Sequence, residues 1–114
     1  MLVVEDEPLI ALDLEHRLAR RGWRVLGPAA TVAQALHLLD DAELPAVALL
    51  DVNLRGEPVT PVAEVLRSRC IPFVLASARD RAGQVAPALA GVPNLGKPTD
   101  EGRLLAALAQ AIER

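Results

Sequence analysis

Short, continuously apolar segments alternate with segments of helical periodicity along this chain. The clearest apolar segment, at residues 46–50, reads AVALL and contains no polar residue. A strand with one face in water alternates polar and apolar residues, whereas a strand buried on both faces is apolar throughout. Burial on both faces requires helices above and below the sheet. The pattern therefore predicts an α/β protein with a parallel sheet built from right-handed β–α–β units.

Strands are predicted at residues 2–4, 23–28, 46–50, 72–76 and, weakly, 94–96. Helices are predicted between and after them. The first begins at Pro8 and ends at Gly22, and later helices begin at Thr31, Pro58 and Asp100. The segment 80–93 is interrupted by Gly83 and Pro87, so the fourth helix is expected to be short or broken. We expect a five-stranded doubly wound parallel sheet with helices on both faces.

Composition excludes several classes of protein. A chain of 114 residues suffices for one domain with a core, and 52% hydrophobic with 24% charged residues is typical of a globular protein. The net charge of −3 gives no reason to expect direct nucleic-acid binding. No apolar stretch approaches the roughly 20 residues of a membrane span, so no membrane insertion is expected. Cys70 has no disulfide partner, which favours a cytoplasmic location, and we expect it to be buried.

Polar residues follow the predicted strands. Glu5 and Asp6 follow the first strand and Asp51 the third, while Ser77 and Lys97 follow the fourth and fifth. Because the carboxyl ends of parallel strands meet at one edge of a sheet, which is where ligands bind in such folds, we expect these side chains to converge.

The chemistry of this set points to phosphoryl transfer. Three converging carboxylates repel one another unless a cation lies between them, and carboxylate oxygens with water are the usual ligands of Mg²⁺. The main-chain carbonyl of Asn53 is a candidate further ligand. A hydroxyl and an ammonium beside the metal, from Ser77 and Lys97, are suited to bind phosphoryl oxygens. Asp51 is then the candidate nucleophile, since a carboxylate can accept phosphate.

Each of these residues also has a simpler interpretation. The acidic pair before Pro8 is suited to cap a helix, and Asp51 to stabilise a turn. Ser77 is suited to bond loop backbone, and a lysine is usually a solvated surface residue. Lys97, however, is the single lysine among 12 basic residues, and an ammonium is not interchangeable with a guanidinium. The coincidence at one sheet edge favours a functional site over four unrelated roles.

The motifs "LVVEDEP", "LLDVNLRG", "LASA" and "GKP", in this order, resemble the receiver domain of two-component response regulators. The resemblance covers residues 1–114 and implies one receiver domain with a flavodoxin-like sheet of strand order 2-1-3-4-5. It implies that Glu5 and Asp6 bind the metal and that Asp51 is the phosphoacceptor. Ser77 matches the switch residue that bonds the phosphoryl group and Lys97 the lysine that pairs with it. It also implies a cis peptide bond before Pro98.

The chain departs from the family pattern at two positions. Asn94 stands where many members have an aromatic switch residue, and Arg55 stands where a proline is common. The sequence is similar to the subgroup called FAT GUY receivers, although "LASA" matches their Phe-Ala-Thr-Gly only in part. We therefore expect the signal to leave through the reduced fourth helix and residues 97–100 rather than through an aromatic rotation.

The resemblance implies a Mg²⁺-dependent signalling phosphoacceptor rather than an enzyme. A histidine kinase or a histidine phosphotransfer protein would be the donor, and an unidentified downstream protein the output partner. Two alternatives stay open. One is a degenerate receiver that acts as a phosphorylation-independent docking module. The other is a small metal-dependent phosphatase, which normally has a general-acid aspartate where this chain has Asn53. We expect a stand-alone receiver domain, and a fragment of a longer regulator is also compatible with the sequence.

Overall fold

The computed structural model describes residues 1–40, 44–51, 53–54, 57–76, 92, 95 and 101–113. The strands are β1 (Leu2–Val4), β2 (Leu26–Ala29), β3 (Ala48–Leu50), β4 (Asn53–Leu54), β5 (Glu57–Pro58) and β6 (Phe73–Leu75). The helices within these residues are α1 (Pro8–Arg20), α2 (Val32–Asp40), α3 (Thr60–Ser68) and α4 (Glu101–Glu113).

Four strands form a parallel sheet in the order β2-β1-β3-β6, which confirms the predicted parallel α/β fold. The sheet continues beyond β6 at one point, because the Leu95 amide donates to the Leu75 carbonyl at 2.8 Å. Leu95 lies in the segment predicted as the fifth strand. The rest of that strand and the predicted broken helix at 80–93, apart from Val92, lie outside the described residues.

The two faces of the sheet carry two separate cores, because successive strand residues point to opposite sides. In β3, Ala48 and Leu50 pack in the core with α2 and α3, whereas Leu49 packs in the core with α1 and α4. The strands β1 and β6 alternate in the same way. This double burial is the physical reason for the continuously apolar strands. None of the helices in the described residues is long and apolar enough to cross a membrane.

Two helices end in the same capping geometry. After α1, the amides of Gly22 and Trp23 donate to the carbonyls of Ala19 and Leu18, and Gly22 has φ +89°. This is a Schellman motif, in which the residue after the cap adopts the left-handed conformation that glycine favours. Gly22 therefore ends α1 as predicted. The motif also holds Trp23 against the helix end, so β2 begins at Leu26 rather than at the predicted residue 23.

The same motif after α3 corrects the prediction for Cys70. Here the amides of Cys70 and Ile71 donate to the carbonyls of Arg67 and Leu66, and Cys70 has φ +58°. In this motif the apolar contact is made by the residue that follows the left-handed one. Ile71 is accordingly buried, whereas Cys70 is exposed. The expectation of a buried thiol was wrong for this reason.

The start of α3 also differs from the prediction. Pro58 does not open the helix but lies in β5, where it pairs with Asn53 of β4 in an antiparallel ladder. The helix begins at Thr60, and Pro61 occupies its first turn. Proline is compatible with a short edge strand as well as with a first helical turn, because neither position needs its missing N–H.

Candidate functional site

Three carboxylates meet at the carboxyl edge of the sheet. Glu5 and Asp6 follow β1, and Asp51 follows β3, which is the parallel neighbour of β1 with Val4 in register with Leu50. Each of the three offers one carboxylate oxygen, and these oxygens all lie within 4.8 Å of one another. We call Glu5, Asp6 and Asp51 the acidic cluster. The structure thus brings together the three residues that the sequence predicted to converge.

Backbone hydrogen bonds hold the cluster in place beyond the ends of the strands. The Glu5 amide donates to the Ala29 carbonyl and the Asp51 amide to the Val4 carbonyl, both at 2.9 Å. These bonds continue the parallel ladder by one residue on each side of β1. The backbones that carry Glu5 and Asp51 are therefore fixed by the sheet itself and not by a loop, which makes the cluster a precise site.

Two of the three carboxylates are buried. Glu5 is 3% exposed and Asp51 is 7% exposed, whereas Asp6 is half-buried. One oxygen of Glu5 accepts a hydrogen bond from the Glu7 amide at 3.1 Å, which offsets part of the cost of its burial. Among the described residues no buried side-chain nitrogen or oxygen lacks a hydrogen-bond partner. Buried aspartate and glutamate are rare in proteins, so burial of two in contact range is a functional signal.

The donor set fits a small divalent cation. Mg²⁺ takes oxygen ligands at about 2.1 Å, so two ligands on opposite sides of the ion lie about 4.2 Å apart. The carboxylate oxygens of the acidic cluster all lie within 4.8 Å of one another, which is close to this spacing. Hard oxygen donors without histidine or cysteine suit Mg²⁺, Ca²⁺ or Mn²⁺ rather than Zn²⁺ or Cu²⁺.

Of the other predicted site residues, Asn53 lies within the described chain and the rest do not. Asn53 belongs to β4, two residues after Asp51. Ser77 and Lys97 lie outside the described residues, as do Asn94 and Pro98. The strand that precedes Ser77 does reach the same edge, since the Ala76 amide donates to the Leu50 carbonyl at 2.9 Å.

Two features near the site were missed at the level of sequence. The first is the β4–β5 hairpin that follows Asp51; Gly56, between its strands, was the available signal. The second is Ala29, whose carbonyl accepts the Glu5 amide. A backbone partner carries no side-chain signature, so no motif search would have found it.

The chain is similar to several proteins of known structure or function. It is 43% identical to SdrG of Pseudomonas melonis Fr1, whose solution structure was determined in a BeF3-activated conformation, with a TM-score of 0.79. That match covers 97% of this chain and 93% of SdrG. The receiver (REC) domain of the response regulator PhyR from Erythrobacter litoralis matches with 27% identity and a TM-score of 0.81, covering 98% of this chain and 88% of that domain.

The chain belongs to the response regulator receiver domain family. Among curated proteins, the phyllosphere-induced regulator PhyR of Methylorubrum extorquens is 31% identical over 80 residues, which are 68% of this chain and 30% of that regulator. This chain spans between 30% and 57% of the length of the curated regulators that it matches. No protein-family model matches it. Proteins of the receiver family are signalling proteins rather than classical enzymes.

Proposed function

We propose that this receiver domain accepts a phosphoryl group on Asp51 with the help of Mg²⁺ and changes its partner binding in response. The observation that carries the proposal is the burial of Asp51 within 4.8 Å of two further carboxylates. A carboxylate with a structural role has no need of two others beside it, because their mutual repulsion destabilises the fold. A metal-dependent acceptor does need them.

One group of residues would bind the metal, and a second group would bind the phosphoryl oxygens. Glu5, Asp6 and Asp51, with the main-chain carbonyl of Asn53, would hold Mg²⁺. When bound, the ion supplies positive charge that offsets the negative charge developing on the transferring group. Lys97 and Ser77 would donate hydrogen bonds to the phosphoryl oxygens from an ammonium and a hydroxyl.

The transfer itself is a displacement at phosphorus. An oxygen of Asp51 forms the new P–O bond while the P–N bond to the imidazole of a phosphohistidine breaks, and the leaving nitrogen regains a proton. The product is an aspartyl phosphate. The donor would be a histidine kinase or a histidine phosphotransfer protein. Because the added group would contact Lys97 and Ser77 only after transfer, it would favour the conformation in which those contacts form.

A surface beside the acidic cluster supports contact with a protein partner. Helix α1 begins two residues after Asp6 and exposes Leu9 (79%) and Leu12 (51%). Residues three apart lie on the same side of a helix, so the two leucines form one apolar patch. Partner binding beside Asp51 is what both a phosphodonor and a regulated output protein require.

We propose an unidentified downstream protein as the output, a cytoplasmic location, and membership of the single-domain FAT GUY subgroup.

The test uses phosphoramidate, a small donor whose P–N bond resembles that of phosphohistidine. The protein is incubated with it and Mg²⁺, and its intact mass is measured. We expect a gain of one phosphoryl group that disappears with excess chelator and in Asp51→Asn. No gain in the wild type, or an equal gain in Asp51→Asn, would refute the proposal.

Release of phosphate from a free phosphate ester with turnover would instead favour the phosphatase alternative. Partner binding that is identical in wild type and Asp51→Asn would favour the docking module.

A further inference from the structure

The strand β2 contains one more residue than its partner over the stretch that leads to the acidic cluster. In the β1–β2 ladder, Leu2 is in register with Leu26, but Val4 is in register with Ala29. Two steps along β1 therefore correspond to three along β2. This is a β-bulge, a feature that re-aims the backbone next to it and is common near functional sites.

Gly27 is the residue that permits the bulge. It has φ +95°, a left-handed conformation that residues with a Cβ rarely adopt. A Cβ at this position would lie 2.7 Å from the Ala29 nitrogen and 3.1 Å from the Val3 carbonyl oxygen. The first contact is with the backbone of β2 itself and the second with the backbone of β1, so no side-chain movement can relieve either one. The sequence therefore needs glycine at position 27 for two independent reasons.

The bulge sets the position of the carbonyl that fixes Glu5. Ala29 is the last residue of β2, and its carbonyl accepts the Glu5 amide at 2.9 Å. A one-residue change of register in β2 would bring a different carbonyl opposite Glu5 and reverse the faces of the strand. The backbone of Glu5 is thus held on one side by β2, while the adjacent Val4 carbonyl accepts the amide of Asp51.

The end of β2 is also held in place by hydrogen bonds at the start of α2. The Ala30 amide donates to the side-chain carbonyl oxygen of Gln34 at 2.8 Å, and the Gln34 amide donates to the Thr31 hydroxyl at 3.1 Å. This reciprocal pair is a capping box displaced by one residue. Ala29 therefore lies between two constraints, the Gly27 bulge before it and the Thr31–Gln34 pair after it.

We propose that Gly27 is a positioning residue for the acidic cluster. By holding the Ala29 carbonyl at the Glu5 amide, it sets the place of the Glu5 carboxylate relative to Asp51, and thereby the affinity for Mg²⁺. The metal part of this inference rests on the proposed function, whereas the backbone part does not. Loss of an outer partner of a metal ligand typically weakens metal binding by about tenfold to a hundredfold.

Two readouts on one pair of variants test the proposal. Amide hydrogen exchange measures how well Glu5 is held without metal, and titration with Mg²⁺ alone, followed by NMR, measures affinity. In Gly27→Ala we expect the Glu5 amide to exchange at least about tenfold faster relative to the β3 amides, and the Mg²⁺ Kd to rise about tenfold.

The matched control is Gly22→Ala, which places a Cβ at φ +89° with no atom within 4 Å. Gly22 lies beyond the far end of α1, roughly 20 Å along the helix from the acidic pair.

The control separates positioning from general destabilisation. In Gly22→Ala all amides should exchange faster together and the Kd should stay within about twofold of the wild type, because strain at a helix end does not reach Glu5. If Gly27→Ala matches Gly22→Ala in the relative exchange of Glu5, the proposal is wrong. A wild type that does not respond to Mg²⁺ would refute the proposed function alone, and the exchange readout would still decide the role of Gly27.

A second variant keeps the test valid if Gly27→Ala does not fold. Gln34 is exposed, so Gln34→Ala removes the bond to the Ala30 amide without adding an atom to the sheet. It should also speed exchange at Glu5 and weaken Mg²⁺ binding, by about threefold because the bulge remains. Gln34→Glu retains a capping-box acceptor and should restore the exchange rate of Glu5. Unchanged exchange at Glu5 in Gln34→Ala would contradict the proposed constraint from α2.

Discussion

Glu5 and Asp51, both almost fully buried, lie just beyond the ends of neighbouring parallel strands and bring carboxylate oxygens within 4.8 Å of each other. The sheet imposes this proximity, because each residue directly follows a strand and the two strands are in register. Two buried negative charges at this distance are unfavourable unless positive charge lies between or beside them. If the acidic cluster binds a cation as we propose, the bound cation should stabilise the fold.

Added Mg²⁺ should stabilise the protein against urea. A ligand that binds only the folded state stabilises it by about 2.7 kcal/mol at a concentration of 100 times Kd. We expect the urea midpoint of the wild type to rise with Mg²⁺ and that of Asp51→Asn to rise much less. The control is Asp40→Asn, which removes an exposed carboxylate outside the acidic cluster and should leave the Mg²⁺ response intact. Equal responses in all three proteins would show that Mg²⁺ acts elsewhere.

Replacing Cys70 by glycine should stabilise the fold. Cys70 has φ +58° at the position of a Schellman motif where glycine is preferred. A left-handed conformation costs a residue with a Cβ about 1–2 kcal/mol, and the greater freedom of glycine in the unfolded chain offsets part of the gain. We predict that Cys70→Gly raises the free energy of unfolding by about 0.5–1 kcal/mol in urea denaturation. A lower midpoint for Cys70→Gly would contradict the left-handed backbone at this residue.

Arg69 should contribute to stability through a carbonyl more than through its ion pair. Its guanidinium donates to the Leu39 carbonyl at the end of α2 and lies 3.5 Å from the Asp40 carboxylate. Carbonyls of the last helical turn lack partners within the helix, so a cation there is favourable. We predict a loss of about 1 kcal/mol for Arg69→Ala but less than about 0.5 kcal/mol for Asp40→Asn, since exposed ion pairs contribute little. Equal losses in urea denaturation would assign the effect to the ion pair.

Much of the fold and half of the site follow from local chemistry in the sequence. Continuous apolar strands predicted the parallel sheet because both faces are covered, and the residue after a strand is fixed by the strand. The pattern of residues alone therefore places Asp51 and the Glu5–Asp6 pair at one edge of the sheet. Their burial, by contrast, depends on packing between distant segments and is not encoded near either residue.

The error at the start of α3 arises because one residue type suits two backbone states. Pro58 fits a helix start and an edge strand equally, and the register of the β4–β5 hairpin decided between them. Within α4, Ile112 is 45% exposed while Ala111 is buried. At about 100° per residue, position 111 lies closer to the direction of Leu104 than position 112 does. Helix geometry therefore places the smaller side chain, Ala111, in the core.

Among the three clustered carboxylates, we propose that Asp51 receives the phosphoryl group. Borohydride reduces an aspartyl phosphate to homoserine, and peptide mass spectrometry then locates the reduced residue. After phosphorylation with phosphoramidate and Mg²⁺, we expect homoserine at position 51 and unmodified Glu5 and Asp6. Reduction at position 5 or 6, or the absence of any reduced residue, would contradict it.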